Sequence, residues 1–98
     1  MPKVIYINAK EQRLEQKNVK GLEEMQALVD GYIEPVYYVK VGRSNLVVNE
    51  EGLYKGYDFG FSMDGHQFVG NGFVGTMGKT DTKVTAEELE GRITFLSR

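Results

Sequence analysis

The chain has no cysteine. Disulfides, thiolate catalysis and zinc ribbons are excluded with it, and a cytoplasmic setting fits. His66 is its single histidine. With Asp58 and Asp64 close by in sequence, it offers at most a two- or three-ligand set, short of what zinc or iron sites favour. A serine triad would also have to pass through it. The expectation is a solvent-facing loop histidine, with no metal and no cofactor. Basic excess is missing too: the net charge is −2, so general nucleic-acid binding is not expected. No run approaches the roughly 18 apolar residues of a membrane span, and the first residues carry no signal-peptide pattern. Neither a membrane nor secretion is expected.

What is present is an ordinary globular composition. With 41% apolar residues, 98 residues support one modest core, burying roughly two-thirds of the unfolded surface. A single domain over residues 1–98 is expected. Its centre is the stretch from Gly31 to Gly52. Ile33, Pro35, Tyr37, Val39 and Val41 alternate with Tyr32, Glu34, Val36, Tyr38 and Lys40, the period of a strand. Pro35 asks for an edge or a bulge, because it cannot donate to a ladder. Gly42-Arg43-Ser44-Asn45 has turn composition, and residues 46–49 return as the second strand of a hairpin. On this phase Ile33, Tyr37, Val39, Leu46 and Val48 point inward.

Around the hairpin the chain reads in order. Residues 3–8 are a central strand, apolar on both faces. Residues 14–19 are a polar edge strand, whose lysines discourage edge pairing. Leu22, Met25, Leu28 and Val29 form one stripe of a helix over 22–30, with Gly31 as its left-handed stop. Residues 56–65 read as a loop with a short extended piece. Residues 67–70 and 72–77 form a glycine-punctuated strand pair or one bulged strand. Thr85-Ala86-Glu87-Glu88 is a capping box, and Leu89, Ile93 and Leu96 continue as a helix stripe. The rival, a strand starting near Arg92, rests on Ile93-Thr94-Phe95. The fold class that follows is α+β: an antiparallel or mixed sheet of four to six strands with two helices packed on it.

Two motifs fail on context. Gly70-Asn71-Gly72-Phe73-Val74-Gly75 spells G-x-G-x-x-G, but no helix follows it and too little chain remains for a dinucleotide unit. Gly78-Lys79-Thr80 resembles the end of a phosphate loop, yet the glycine it needs falls on Phe73, and Gly72 is one residue out of register. Glu50 and Glu51 read as solvated charge at a turn. The tyrosines are more informative. Tyr32, Tyr37, Tyr38, Tyr54 and Tyr57 cluster around the hairpin, the composition of a binding surface, set against the plainer reading that many of them are core.

The segments Leu28-Val29-Asp30-Gly31-Tyr32-Ile33-Glu34, Asn49-Glu50-Glu51-Gly52 with Lys55-Gly56, and Phe68-Val69-Gly70 through Phe73-Val74-Gly75 resemble, in that order, the family filed as domain of unknown function 3846. The resemblance covers residues 22–75. After Lys55-Gly56 the chain departs from it: Tyr57 to Met63 stands where the family has a segment with proline and asparagine. The resemblance implies a small domain common in bacteriophages, plasmids and Gram-positive bacteria. It brings no activity and no catalytic residues.

The resulting expectation is a small, non-enzymatic binding or accessory protein of a bacteriophage or mobile element. It would act on a host protein in the host cytoplasm, an anti-defence role included. Its binding residues would be Tyr32, Tyr38, Tyr54, Tyr57, Gly70, Gly72 and Lys79. Self-association into a homo-oligomer is one form of such binding. One alternative is a small nucleotide-like ligand held by the glycine-rich segment 70–79. Another is a structural or oligomeric component.

Overall fold

The computed structural model describes residues 2–78 and 80–97. Within them run β1 (Lys3–Asn8), β2 (Arg13–Asn18), α1 (Leu22–Val29), β3 (Ile33–Val41), β4 (Ser44–Asn49), a single 3-10 turn (Gly52–Tyr54), β5 (Phe59–Met63), β6 (His66–Val69), β7 (Gly72–Gly75), α2 (Ala86–Glu90) and β8 (Ile93–Ser97). The strands form two sheets, ordered β2-β1-β7-β4-β3 and β6-β5-β8, and their pairings are antiparallel. The architecture is α+β. In place of one sheet of four to six strands, eight strands are divided between a large and a small sheet, and the helices are short.

Two stretches account for the difference. Residues 59–63, expected within a loop, are β5. Phe61 and Met63 are buried while Ser62 between them is half-buried, which is the two-residue period of a strand. Asp64 and Gly65 then take φ values of +53° and +86°, the positive pair of a two-residue hairpin turn. Residues 93–97, expected in a helix, are β8. The Thr85 cap does form, with its Oγ1 accepting the Glu88 N–H at 3.2 Å, and Glu88 Oε1 accepts from the Thr85 hydroxyl at 3.3 Å. Its helix ends at Glu90, ahead of Gly91. Ile93 and Phe95 then lie opposite Met63 and Phe61 of β5. β-Branched and aromatic cross-strand pairs outweigh the local helix signal there.

The large sheet is covered on both faces. α1 seals one face through Met25 and Val29, packed on Val4, Val47 and Phe73. The small sheet and α2 seal the other: Phe61, Met63, Phe68, Leu89 and Ile93 meet Ile5, Ile7, Val36, Leu46 and Val74. β1 is interior and polar β2 is an edge, as the sequence indicates. Arg92 joins the two sheets. Its Nε donates to Asp64 Oδ1 at 3.0 Å, and its Nη2 donates to Lys40 O of β3 at 2.6 Å.

β3 is the other edge of the large sheet and carries Pro35, where a missing N–H does least harm. Its register breaks in the middle. Val36 pairs with Leu46, yet Lys40 pairs with Asn45. Tyr37, Tyr38 and Val39 are therefore unpaired, and an odd insertion inverts the alternation. Val36, Val39 and Val41 are all buried, whereas Tyr37 is 71% exposed. The inward position expected for Tyr37 is thus corrected: the bulge turns it to solvent.

Candidate binding groove

The edges of the two sheets, β3 and β6, lie beside each other on one flank, with the 3-10 turn closing one end. Between them is a groove of about 180 Å³. Val36, Val48 and Phe68 line it from the core side, and all three are buried. Its rim is formed by Tyr38 from the bulge and by Leu53 and Tyr54 from the turn. The Tyr38 ring stands edge-on to His66 with centroids 5.0 Å apart, and stacks on Phe68 at 6.5 Å. Leu53 and Tyr54 are 79% and 86% exposed. Side chains this apolar and this uncovered, set around a cleft, mark an interaction site more often than chance surface.

Local packing explains the shape. Gly52 presses the turn against β6 so closely that a Cβ there would lie 2.8 Å from Val69 O. Asn49, buried at the end of β4, holds the other side. Its Nδ2 donates to Val29 O at 2.8 Å and to Asp30 O at 3.0 Å, and its Oδ1 accepts the Glu51 N–H at 2.6 Å. This satisfies carbonyls that the end of α1 leaves open, and it fixes residues 49–51 where the turn begins.

The expected site residues divide. Tyr38 and Tyr54 come together at the groove, and Tyr32 is exposed at the start of β3. Tyr57 does other work: its hydroxyl donates to Asp30 Oδ2 at 2.7 Å, and burial, then this bond, pushes its pKa up to about 12. Gly70 lies under that ring, its missing Cβ 3.0 Å from Tyr57 Cδ2. Gly72 is buried in β7 against Val47 O and the Phe61 ring. Asn71 between them accepts the N–H groups of Ala9 and Lys10 at 2.7 and 3.1 Å and donates to the Tyr6 hydroxyl at 3.0 Å. The G-x-G-x-x-G letters are thus occupied by the protein's own packing. Lys79 lies outside the described residues.

Leu53, Phe68 and Val36 line the groove and are not among the expected binding residues. The signal for Phe68 was available: Asp64-Gly65 between alternating hydrophobics announces a hairpin, and with it a strand that puts Phe68 inward. A second recess, of about 450 Å³, lies beside α1 and is lined in part by Asp30, Tyr57 and Asn71. Those groups already bond one another or the backbone as described. Among the described residues no three His, Asp or Glu side chains gather as a metal site, and no helix is long and apolar enough to cross a membrane.

The family model described as Domain of unknown function (DUF3846) matches residues 2–95. The chain belongs to this family. The match reaches beyond residues 22–75 on both sides, taking in β1, β2 and α2. Searches of curated proteins and of solved structures give no match to this chain. In this family member, the residues that carry the resemblance are partly explained by packing: Asn49 caps α1, Gly52 seats the turn, and Gly70, Asn71 and Gly72 lock neighbouring elements. Glu50 has no such task; it is exposed at the groove.

Proposed function

We propose that this protein works by binding another protein through the groove between β3 and β6, and not by turnover. The observation that carries the reading is the juxtaposition of exposed Leu53, Tyr54 and Tyr38 around an apolar floor. Tyrosine supplies a large contact area at low entropic cost, and such side chains dominate binding energies where they are central. The volume, about 180 Å³, is below the roughly 300–1,000 Å³ typical of small-molecule pockets. It suits one protein side chain better than a nucleotide. The partner in this reading is a host protein met in the host cytoplasm, the protein being an accessory factor of a phage or other mobile element. An anti-defence role is one form of that activity; the setting itself rests on the family resemblance.

The test is affinity capture from bacterial lysate with three proteins in parallel: wild type, Leu53→Ser/Tyr54→Ala, and Leu22→Ser. Leu22 is an exposed residue of α1 on the opposite side of the large sheet. The expected result is a partner held by wild type and Leu22→Ser and lost by the double variant. A partner held equally by all three removes the groove from the function. A thermal-shift screen with nucleotides and cyclic dinucleotides runs beside it, and a large stabilisation there would favour the small-ligand alternative.

A further inference from the structure

We infer that the segment entering the groove is extended and carries a large apolar side chain next to a lysine or arginine. This rests on the binding reading and adds the partner's chemistry. Three features of the groove support it.

The first is charge. Glu34 and Glu50 both line the groove and are exposed, and no lysine or arginine among the described residues lines it. Glu34 is opposite Val48, and Glu50 donates its N–H to Tyr32 O at 2.9 Å across the same ladder. They are therefore diagonal neighbours on one sheet face, about 7–8 Å apart at the backbone. The ion pairs formed among the described residues are Arg13 with Glu15 and Arg92 with Asp64. Two like charges held together without a cation make a local negative potential, which a cationic side chain would relieve.

The second is size and lining. A cleft of about 180 Å³ with Val36, Val48 and Phe68 beneath it is an apolar receptacle beside those carboxylates. One side chain fills it while its neighbour in sequence reaches the rim.

The third is the backbone. The two-residue turn at Asp64-Gly65 makes Met63 and His66 a hydrogen-bonded pair, and Gly70 donates to Phe59 O at 2.9 Å at the other end of the ladder. Alternation then turns the N–H and C=O of Gln67 away from β5, on a strand that has no second neighbour among the described residues. Val69 O on the same edge is covered by Gly52. Across the groove β3 offers Pro35 and an unpaired bulge, a poor template for a strand. Gln67 is thus the main-chain handle, and strand addition is the docking mode it serves.

The experiment selects a yeast-displayed library of random ten-residue peptides on the intact protein, then measures the enriched peptides as synthetic compounds. Enriched sequences are expected to place an aromatic or aliphatic residue beside lysine or arginine and to be depleted of acidic residues. Glu34→Lys/Glu50→Lys is expected to weaken them at least tenfold, with an unchanged melting midpoint. Peptides with glutamate in place of the basic residue regain binding to that variant. N-methylation scanned along a peptide abolishes binding at the position facing Gln67. Failure to enrich any peptide overturns the inference, as does enrichment without a basic preference, a charge reversal without effect, or tolerance of every N-methyl group. If Leu53→Ser/Tyr54→Ala still abolishes capture of the lysate partner in those cases, the binding reading survives and only the partner's chemistry is wrong.

Discussion

Gly31 and Asn49 are fitted to each other. Gly31 has φ +154°, and a Cβ built on it would lie 2.7 Å from Asn49 Nδ2. That nitrogen cannot retreat without losing its bonds to Val29 O and Asp30 O. The left-handed residue ending α1 is Asp30, φ +58° and ψ +45°; Gly31, expected to take that role, is required by the close approach instead.

Gly31→Ala is expected to destabilise by roughly 1–3 kcal/mol, from strain and displacement of a buried amide. Asn49→Ala should cost a comparable amount. Because Asn49 is the obstacle, the double variant is expected to be clearly less unstable than the two single losses added together. Urea denaturation of the four proteins decides it, and strict additivity would show that the two residues do not oppose one another.

Asp64 supplies an acid-sensitive bond to Arg92, the residue that reaches from the small sheet to Lys40 O of the large one. Hydrogen bonding to Arg92, reinforced by its charge, holds the Asp64 carboxyl below its ordinary pKa. The folded state therefore binds fewer protons than the unfolded one, and the stabilisation is present above about pH 3.9 and lost as pH falls through the depressed value. Asp64→Asn keeps the side-chain shape and tolerates the left-handed turn. Its denaturation midpoint should lie below wild type at pH 7, with the gap closing as the pH drops below the carboxylate range. A gap that stays constant down to acid unfolding would exclude the ion pair as its cause.

Much of the architecture is legible in the order of residues, and the failures have causes. The stripe of Leu22, Met25 and Val29 gives α1, and the polar run of β2 gives an edge. The Thr85 cap gives the start of α2, but a cap marks only a beginning. What recruits Ile93 and Phe95 into a strand is β5, whose partners Met63 and Phe61 lie 30 and 34 positions earlier in the chain, and local pattern does not reveal that pairing. The hairpin phase fails at Tyr37 for a related reason: a three-residue insertion looks like continuous alternation until a partner strand shows it unpaired. At the groove, composition singles out Tyr38 and Tyr54, which the fold places on its rim. Leu53 is missed because an exposed leucine is informative only once its neighbours are known.

This revised core changes what hydrogen exchange should report. β4 and β7 are each flanked by strands on both sides and covered on both faces, so amides of Leu46, Val47, Phe73 and Val74 are expected among the slowest. Amides of Tyr37 to Val39 should exchange much faster, although they lie between paired stretches of one strand. Comparable protection across residues 33–41 would mean that the bulge is absent in solution.

The rim and the floor of the groove should separate stability from binding. Tyr54 and Leu53 project from the turn with most of their surface in water, so truncation removes little buried area. Tyr54→Ala is expected within about 0.5 kcal/mol of wild type. Phe68 belongs to the groove and also to the main core, 9% exposed and 5.3 Å from the Phe61 ring. Phe68→Ala should cost about 3–5 kcal/mol, because it leaves a cavity between the sheets. Chemical denaturation gives both values, and partner capture under native conditions gives the second readout. A Tyr54→Ala protein with wild-type stability and no partner would assign the rim to function alone. If Tyr54→Ala instead unfolds with the ease of Phe68→Ala, the turn is part of the core and its exposed tyrosine is a structural feature, not a contact.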